Sequence, residues 1–217
     1  MDPGKKRILV TDDEHDIVEI ITGMLKRSGY ATLKAYSGEE CIRQAIADRP
    51  DLIFLDIMME TMDGWEVASH IKNDAATKDI PIIMVTSKPL TLEDVQERSM
   101  LIENYIMKPV SAATLRDAID EVFTARTRIE RTLEMARKSG VADEIVEKYK
   151  GKYAALSDQF RRQQKLMTML PQIYTEKKTS NNPAYRNMMA SMRKGLELQE
   201  RELKRLEKIL TTPAREE

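Results

Sequence analysis

The sequence predicts an α/β domain followed by an all-α, coiled-coil-like region. Three observations predict that fold class. Short β-rich runs alternate with helical spacings through residues 1–125, no such run occurs in residues 126–217, and the charge balance changes sign between the two stretches. Residues 1–125 carry 14 Lys and Arg against 23 Asp and Glu, whereas residues 126–217 carry 21 against 13. Opposite balances, −9 and +8, read as two domains with different tasks.

The β-rich runs are RILVTD (7–12), ATLKAY (31–36), LIFLD (52–56), PIIMVT (81–86) and NYIM (104–107). Between them, Ile17, Ile20, Ile21, Met24 and Leu25 share one helical face, as do Cys41, Ile42, Ala45 and Ile46, then Val67, Ala68 and Ile71. A fourth helix is expected over about Leu92 to Ile102. Gly29, Gly38, Pro50, Gly64 and Pro81 punctuate the changes. Strand and helix alternating in this way give an open parallel sheet with helices on both faces.

The helix beginning near Ser111 keeps an apolar stripe through Leu115, Ile119, Val122, Ile129, Leu133 and Ala136, until Gly140 breaks it. A second stripe runs through Val146, Tyr149, Tyr153, Leu156, Phe160, Met167 and Leu170, with Gln163 its polar member, and is expected to end at Pro171. After the polar stretch TEKKTSNNP (175–183), a third runs through Tyr185, Met189, Met192, Leu196, Leu203, Leu206 and Leu210, interrupted by Gln199. Helices of about 28 residues reach roughly 42 Å. Narrow seams and the short SGVAD turn favour antiparallel packing, as an intramolecular bundle or as a surface for self-association.

No apolar run approaches the roughly 18 residues of a membrane span, and the first residues have too short an apolar stretch for a signal peptide. Cys41 is the single cysteine, so no internal disulfide can form. The sequence therefore reads as a cytoplasmic protein without membrane partners.

Ligands in such sheets sit beyond the carboxyl ends of the strands. There the first strand ends on Asp12 and Asp13 and the third on Asp56. Three clustered carboxylates repel unless a cation intervenes, and a hard dication such as Mg²⁺ suits oxygen ligands. Asp13 could instead cap the helix that begins near Glu14, and Asp63-Gly64 reads as a turn and cap rather than a ligand. The fourth strand ends at Thr86 and Ser87, and Lys108 lies just beyond the fifth, so a hydroxyl and an ammonium would face the carboxylates. Such a ring suits an anionic group.

The segments VTDDE, LIFLDIMMETMDGWE, IIMVTS and YIMKP, in this order and spacing, resemble the receiver domain of two-component response regulators across residues 7–110. The resemblance implies a flavodoxin-like five-stranded sheet of order 2-1-3-4-5. It implies that Asp56 is the phosphoacceptor, phosphorylated by a sensor histidine kinase or phosphotransfer protein. Asp12 and Asp13, with Asp56 and the carbonyl of Met58, would hold Mg²⁺. Thr86 and Lys108 would contact the phosphoryl oxygens, and Thr86 and Tyr105 would form the switch. The chain would act as a phosphoacceptor assisting its own phosphorylation and dephosphorylation, not as a turnover enzyme. Two positions depart from the family pattern. Glu60 stands where a proline is usual, predicting a looser loop, and LIENYIMKP lacks the usual Gly-Ala pair, altering the end of the fourth helix. Met58 and Lys88 occupy the positions that modulate hydrolysis in this family, and a methionine cannot orient a water.

Residues 126–217 contain neither histidine, both being at 15 and 70, so they hold no phosphoacceptor histidine. Three long helices do not suit a winged DNA reader. Two outputs fit: a protein-interaction or homodimerisation module, with a downstream protein target, and a nucleic-acid-binding module using Arg161-Arg162, Lys177-Lys178 and Arg193-Lys194. Basic residues interspersed with Glu favour the first.

Overall fold

The computed structural model describes residues 4–91, 93–173 and 182–212. The chain divides into two compact units, Met1–Val122 and Phe123–Glu217. No helix among the described residues is long and apolar enough to cross a membrane.

The first unit alternates β1 (Arg7–Thr11), α1 (His15–Arg27), β2 (Ala31–Ala35), α2 (Gly38–Asp48), β3 (Leu52–Leu55), α3 (Gly64–Asn73), β4 (Ile82–Thr86) and β5 (Asn104–Met107). α4 (Ala112–Lys138) follows, and the division between the units falls inside it. All five strands are parallel, in the order β2-β1-β3-β4-β5. β3 is buried at all four positions, as its unbroken apolar run requires of a strand covered on both faces. Burying each of Leu52, Ile53, Phe54 and Leu55 contributes about 2 kcal/mol.

The sheet order reverses between β1 and β3, which makes their carboxyl ends the crevice of the fold. Thr11 pairs with Leu55, and the Asp56 N–H donates to the Thr11 carbonyl at 3.0 Å. That bond extends the ladder one residue past β3 and brings Asp56 beside the acids that follow β1.

The expected fourth helix is not an α-helix. Among the described residues, a π-helical turn spans Asp94–Arg98 and a 3₁₀ turn Ser99–Leu101, while Leu92 lies outside those residues. Side chains tie both ends of the widened turn. The buried Asp94 carboxylate accepts from the Thr91 N–H at 3.0 Å and hydroxyl at 2.9 Å. Arg98 meets Asp94 at 3.4 Å and lies 6.0 Å above the Trp65 ring.

The second unit holds the rest of α4, α5 (Asp143–Ile173) and α6 (Pro183–Thr211). α4 ends in a Schellman turn. Gly140 takes φ +81, Gly140 N–H donates to Arg137 O at 3.3 Å and Val141 N–H to Ala136 O at 3.2 Å, with Ala136 and Val141 both buried. α5 continues two residues past Pro171, so the proline stands in the last turn of the helix rather than ending it. Most of TEKKTSNNP, residues 175–181 with Lys177-Lys178, lies outside the described residues; its end, Asn182, caps α6 and Pro183 opens it.

The three apolar stripes meet in one core within this unit. Ala136, Val141, Val146, Tyr153, Leu206 and Leu210 are buried, and Ile129, Leu133, Tyr149, Leu156 and Leu203 pack on them. Partners across the helix pair show that α5 and α6 are antiparallel: Lys152 meets Glu202 at 2.5 Å, the Tyr153 hydroxyl reaches Glu207 at 3.1 Å, and Gln163 donates to the Met192 carbonyl at 3.3 Å.

Candidate functional site

Strand ends deliver each functional side chain. Asp12 follows β1, Asp56 follows β3, Thr86 closes β4, and Lys108 follows β5. One carboxylate oxygen from each of Asp12, Asp13 and Asp56 lies within 4.8 Å of the others. The Lys108 ammonium bridges two of the acids, 2.6 Å from Asp12 Oδ2 and 2.7 Å from Asp56 Oδ2. The strand-end pattern thus puts all three acids and the amine in one place.

Asp56 is 4% exposed and Asp12 2%, so both carboxylates are buried at the strand ends rather than displayed to solvent. Their burial is offset locally. Asp56 accepts the Met58 N–H at 3.2 Å besides Lys108, and Asp12 accepts the Glu14 N–H at 3.1 Å. Desolvation is the largest influence on Asp12 and raises its pKa above the usual carboxylate range, against the pull of Lys108. Burial also works against the Lys108 ammonium, but its bonds to Asp12 and Asp56 outweigh that penalty and raise its pKa.

Asp13, half-buried, does not cap α1, whose N-cap residue is Glu14 with no side-chain capping bond. Its Oδ2 instead accepts the Glu60 N–H at 3.0 Å. The loop carrying Glu60 is therefore not loose. Met62 N–H donates to Glu60 O at 2.8 Å, Gly64 N–H to Ile57 O at 2.9 Å, and Thr61 adopts φ +69. A proline at 60 would have no N–H to offer, so the departure from the family pattern adds a tie.

Asp63 caps α3 in a capping box with Glu66, as its sequence context predicts. Gly64 has a role that a turn-and-cap reading misses. A Cβ there would lie 2.1 Å from the Asp56 carbonyl oxygen, so only glycine lets α3 press against the backbone of Asp56. The unread signal was a glycine just after an N-cap, where ordinary helical φ would admit any residue.

Met58 is 59% exposed beside Asp56. Thr86 is fully buried, its Oγ1 accepting the Lys88 N–H at 3.3 Å, and the Lys108 N–H donates to its carbonyl at 2.9 Å. Tyr105 is buried on β5. Its hydroxyl donates to the Lys88 carbonyl and lies 2.8 Å from the Met107 sulfur. Burial pushes its pKa up to about 12. Thr86 and Tyr105 are thus linked through one residue, Lys88, which gives its N–H to one and its carbonyl to the other.

A parallel five-stranded sheet with three acids and a lysine at its switch-point crevice defines a receiver-type α/β signalling module. Residues 8–120 match the family model of the response regulator receiver domain, and the chain belongs to that family. Those residues are accordingly a response regulator receiver domain of two-component signalling. Residues 125–214 match a second family model, described as Metanogen output domain 2. Protein PilH of Pseudomonas aeruginosa is 33% identical over 117 residues, covering 54% of this chain and 97% of PilH. The alkaline phosphatase synthesis transcriptional regulatory protein PhoP of Bacillus subtilis is 38% identical over 106 residues, covering 49% of this chain and 43% of PhoP. The chain thus spans less than half the length of that longer regulator. Among solved structures, a CheY-like response regulator receiver domain protein from Methanospirillum hungatei is 27% identical with a TM-score of 0.52, covering 58% of this chain and 98% of that one.

Proposed function

We propose that Asp56 accepts a phosphoryl group from a phosphohistidine of a histidine kinase or phosphotransfer protein, and that this event controls a protein-interaction output in the helical half. The observation that carries the reading is the convergence of Asp12, Asp13 and Asp56 within 4.8 Å around an ammonium that already bridges two of them.

In the proposed step an Asp56 carboxylate oxygen attacks phosphorus as the P–N bond breaks. The bonding pair leaves on the imidazole nitrogen, and the product is an acyl phosphate on Asp56. Lys108, held within 2.7 Å of the attacking carboxylate, moves from that oxygen to the incoming phosphoryl oxygens and offsets their charge. The Thr86 hydroxyl supplies a further hydrogen bond once its side chain turns towards the group. The donor set fits a hard divalent cation such as Mg²⁺, which Asp12, Asp13, Asp56 and the Met58 carbonyl would hold and which would neutralise phosphoryl charge. Movement of Thr86 pulls on the Lys88 N–H, and the same residue's carbonyl holds the Tyr105 hydroxyl. The two ends of the switch are then biased together.

The output is read as protein interaction, homodimerisation included, rather than nucleic-acid binding. Arg137, Lys138, Lys150, Lys152, Lys204 and Arg205 all pair with neighbouring acids, as on a solvated helical face. The test of the phosphoacceptor is intact-mass spectrometry after incubation with acetyl phosphate and Mg²⁺. The chain gains one phosphoryl group, and Asp56→Asn gains none. Equal labelling of the variant would overturn the assignment.

A further inference from the structure

We infer that the backbone N–H of Glu60 is a positioning group for Asp13 and raises the affinity of the acidic pocket for a divalent cation. The inference rests on the metal-binding reading above and adds to it a residue from the β3–α3 loop.

A carboxylate in the pocket has two oxygens to place, and a bound cation needs one of them aimed inward. Asp13 is half-buried and, unlike Asp12 and Asp56, has no bond to Lys108. Its Oδ2 is instead held by the Glu60 N–H at 3.0 Å, across 47 residues of sequence. An N–H on one carboxylate oxygen sets the rotation of the group and leaves the other oxygen for the metal. Outer hydrogen bonds of this kind orient metal-binding carboxylates.

The donor is itself held in place. Glu60 O accepts the Met62 N–H at 2.8 Å, the left-handed Thr61 turns the chain, and Gly64 N–H anchors the loop to Ile57 O at 2.9 Å. The loop is thus pre-formed around this bond, so cation binding does not have to order it. The exposed Glu60 side chain plays no part in the bond, since the donor is the backbone.

The experiment is Mg²⁺ titration of the full chain by isothermal calorimetry, without a phosphodonor. Glu60→Pro, which deletes the N–H, weakens Mg²⁺ binding about tenfold, while Glu60→Ala, which keeps it, stays within about twofold of the parent. Equal affinity of Glu60→Pro and the parent overturns the inference, as does an Ala variant as weak as the Pro variant, which would credit the side-chain charge. If Glu60→Pro does not fold, amide exchange in the metal-free parent decides. The Glu60 amide is protected, and Asp13→Ala removes the protection; a fast-exchanging Glu60 amide in the parent overturns the inference. A parent that takes up no Mg²⁺ at all refutes instead the metal reading on which the inference stands.

Discussion

Replacing Gly64 by alanine tests how closely the phosphoacceptor is held. The added Cβ would lie 2.1 Å from the Asp56 carbonyl oxygen and 2.9 Å from both the Asp56 carbonyl carbon and Ile57 Cα. Real Cβ contacts stay beyond 3.0 Å, so α3 and the Asp56–Ile57 backbone must separate by about 0.9 Å. All three atoms are backbone, and no flexible side chain can yield instead. Overpacking of this kind costs about 2 kcal/mol, or a melting temperature lower by roughly 8 °C. A displacement near 1 Å at a reacting group costs about 100-fold in rate. The assays are thermal unfolding and the rate of labelling by acetyl phosphate. Gly151→Ala is the matched control. Nothing lies within 4 Å of its Cβ position on α5, so it stabilises by about 0.5 kcal/mol and leaves labelling unchanged. Gly64→Ala labelling at the parent rate, whatever its stability, would refute the reasoning that this contact positions the carboxylate.

Lys108→Ala leaves two buried carboxylates without their shared cation and destabilises the metal-free chain by about 3 kcal/mol in denaturant unfolding; a loss under 1 kcal/mol would contradict that. The Tyr105 pKa is raised from 10.0 to about 12, so its contribution is fully present below pH 10 and is lost as pH rises through 12. The stability gap between the parent and Tyr105→Phe therefore narrows by roughly 2 kcal/mol across that window, and a gap independent of pH would count against the buried hydroxyl. Cys41 is fully buried and its thiol is pushed up to about 12, so the folded chain resists alkylation at pH 8 and reacts only on unfolding, as mass spectrometry after a timed quench will report. Met58 is exposed beside Asp56 and its thioether cannot orient a water, so the phosphorylated chain persists for many minutes; decay within seconds would oppose this.

The sheet was legible because central parallel strands are buried on both faces and read as unbroken apolar runs, such as Leu52 to Leu55. The acids and Lys108 were legible for a related reason: a charged residue directly after such a run has the crevice at the sheet's edge as its outlet. What escaped depends on backbone geometry, which residue types do not report. Glu60 acts through an N–H that almost every residue carries, so the absence of the family's proline read as a looser loop although it supplies a tie. The burial of Asp56 is not legible in the sequence, because its compensation comes from the Met58 N–H and from Lys108, 52 residues away. The winding of the fourth helix was not legible because apolar spacing over so short a stretch suits α, π and 3₁₀ turns alike. In the second unit the stripes gave the three helices, and their joining in one core became visible only with the antiparallel partners in place.

The account stands on a phosphoryl group at Asp56 altering the helical half that continues from α4. Light scattering and small-angle X-ray scattering of the full chain, with and without beryllofluoride and Mg²⁺ as a phosphoryl mimic, measure this directly. A change in mass or shape in the parent, absent from Asp56→Asn, is the predicted result; identical mass and shape in every condition would contradict it.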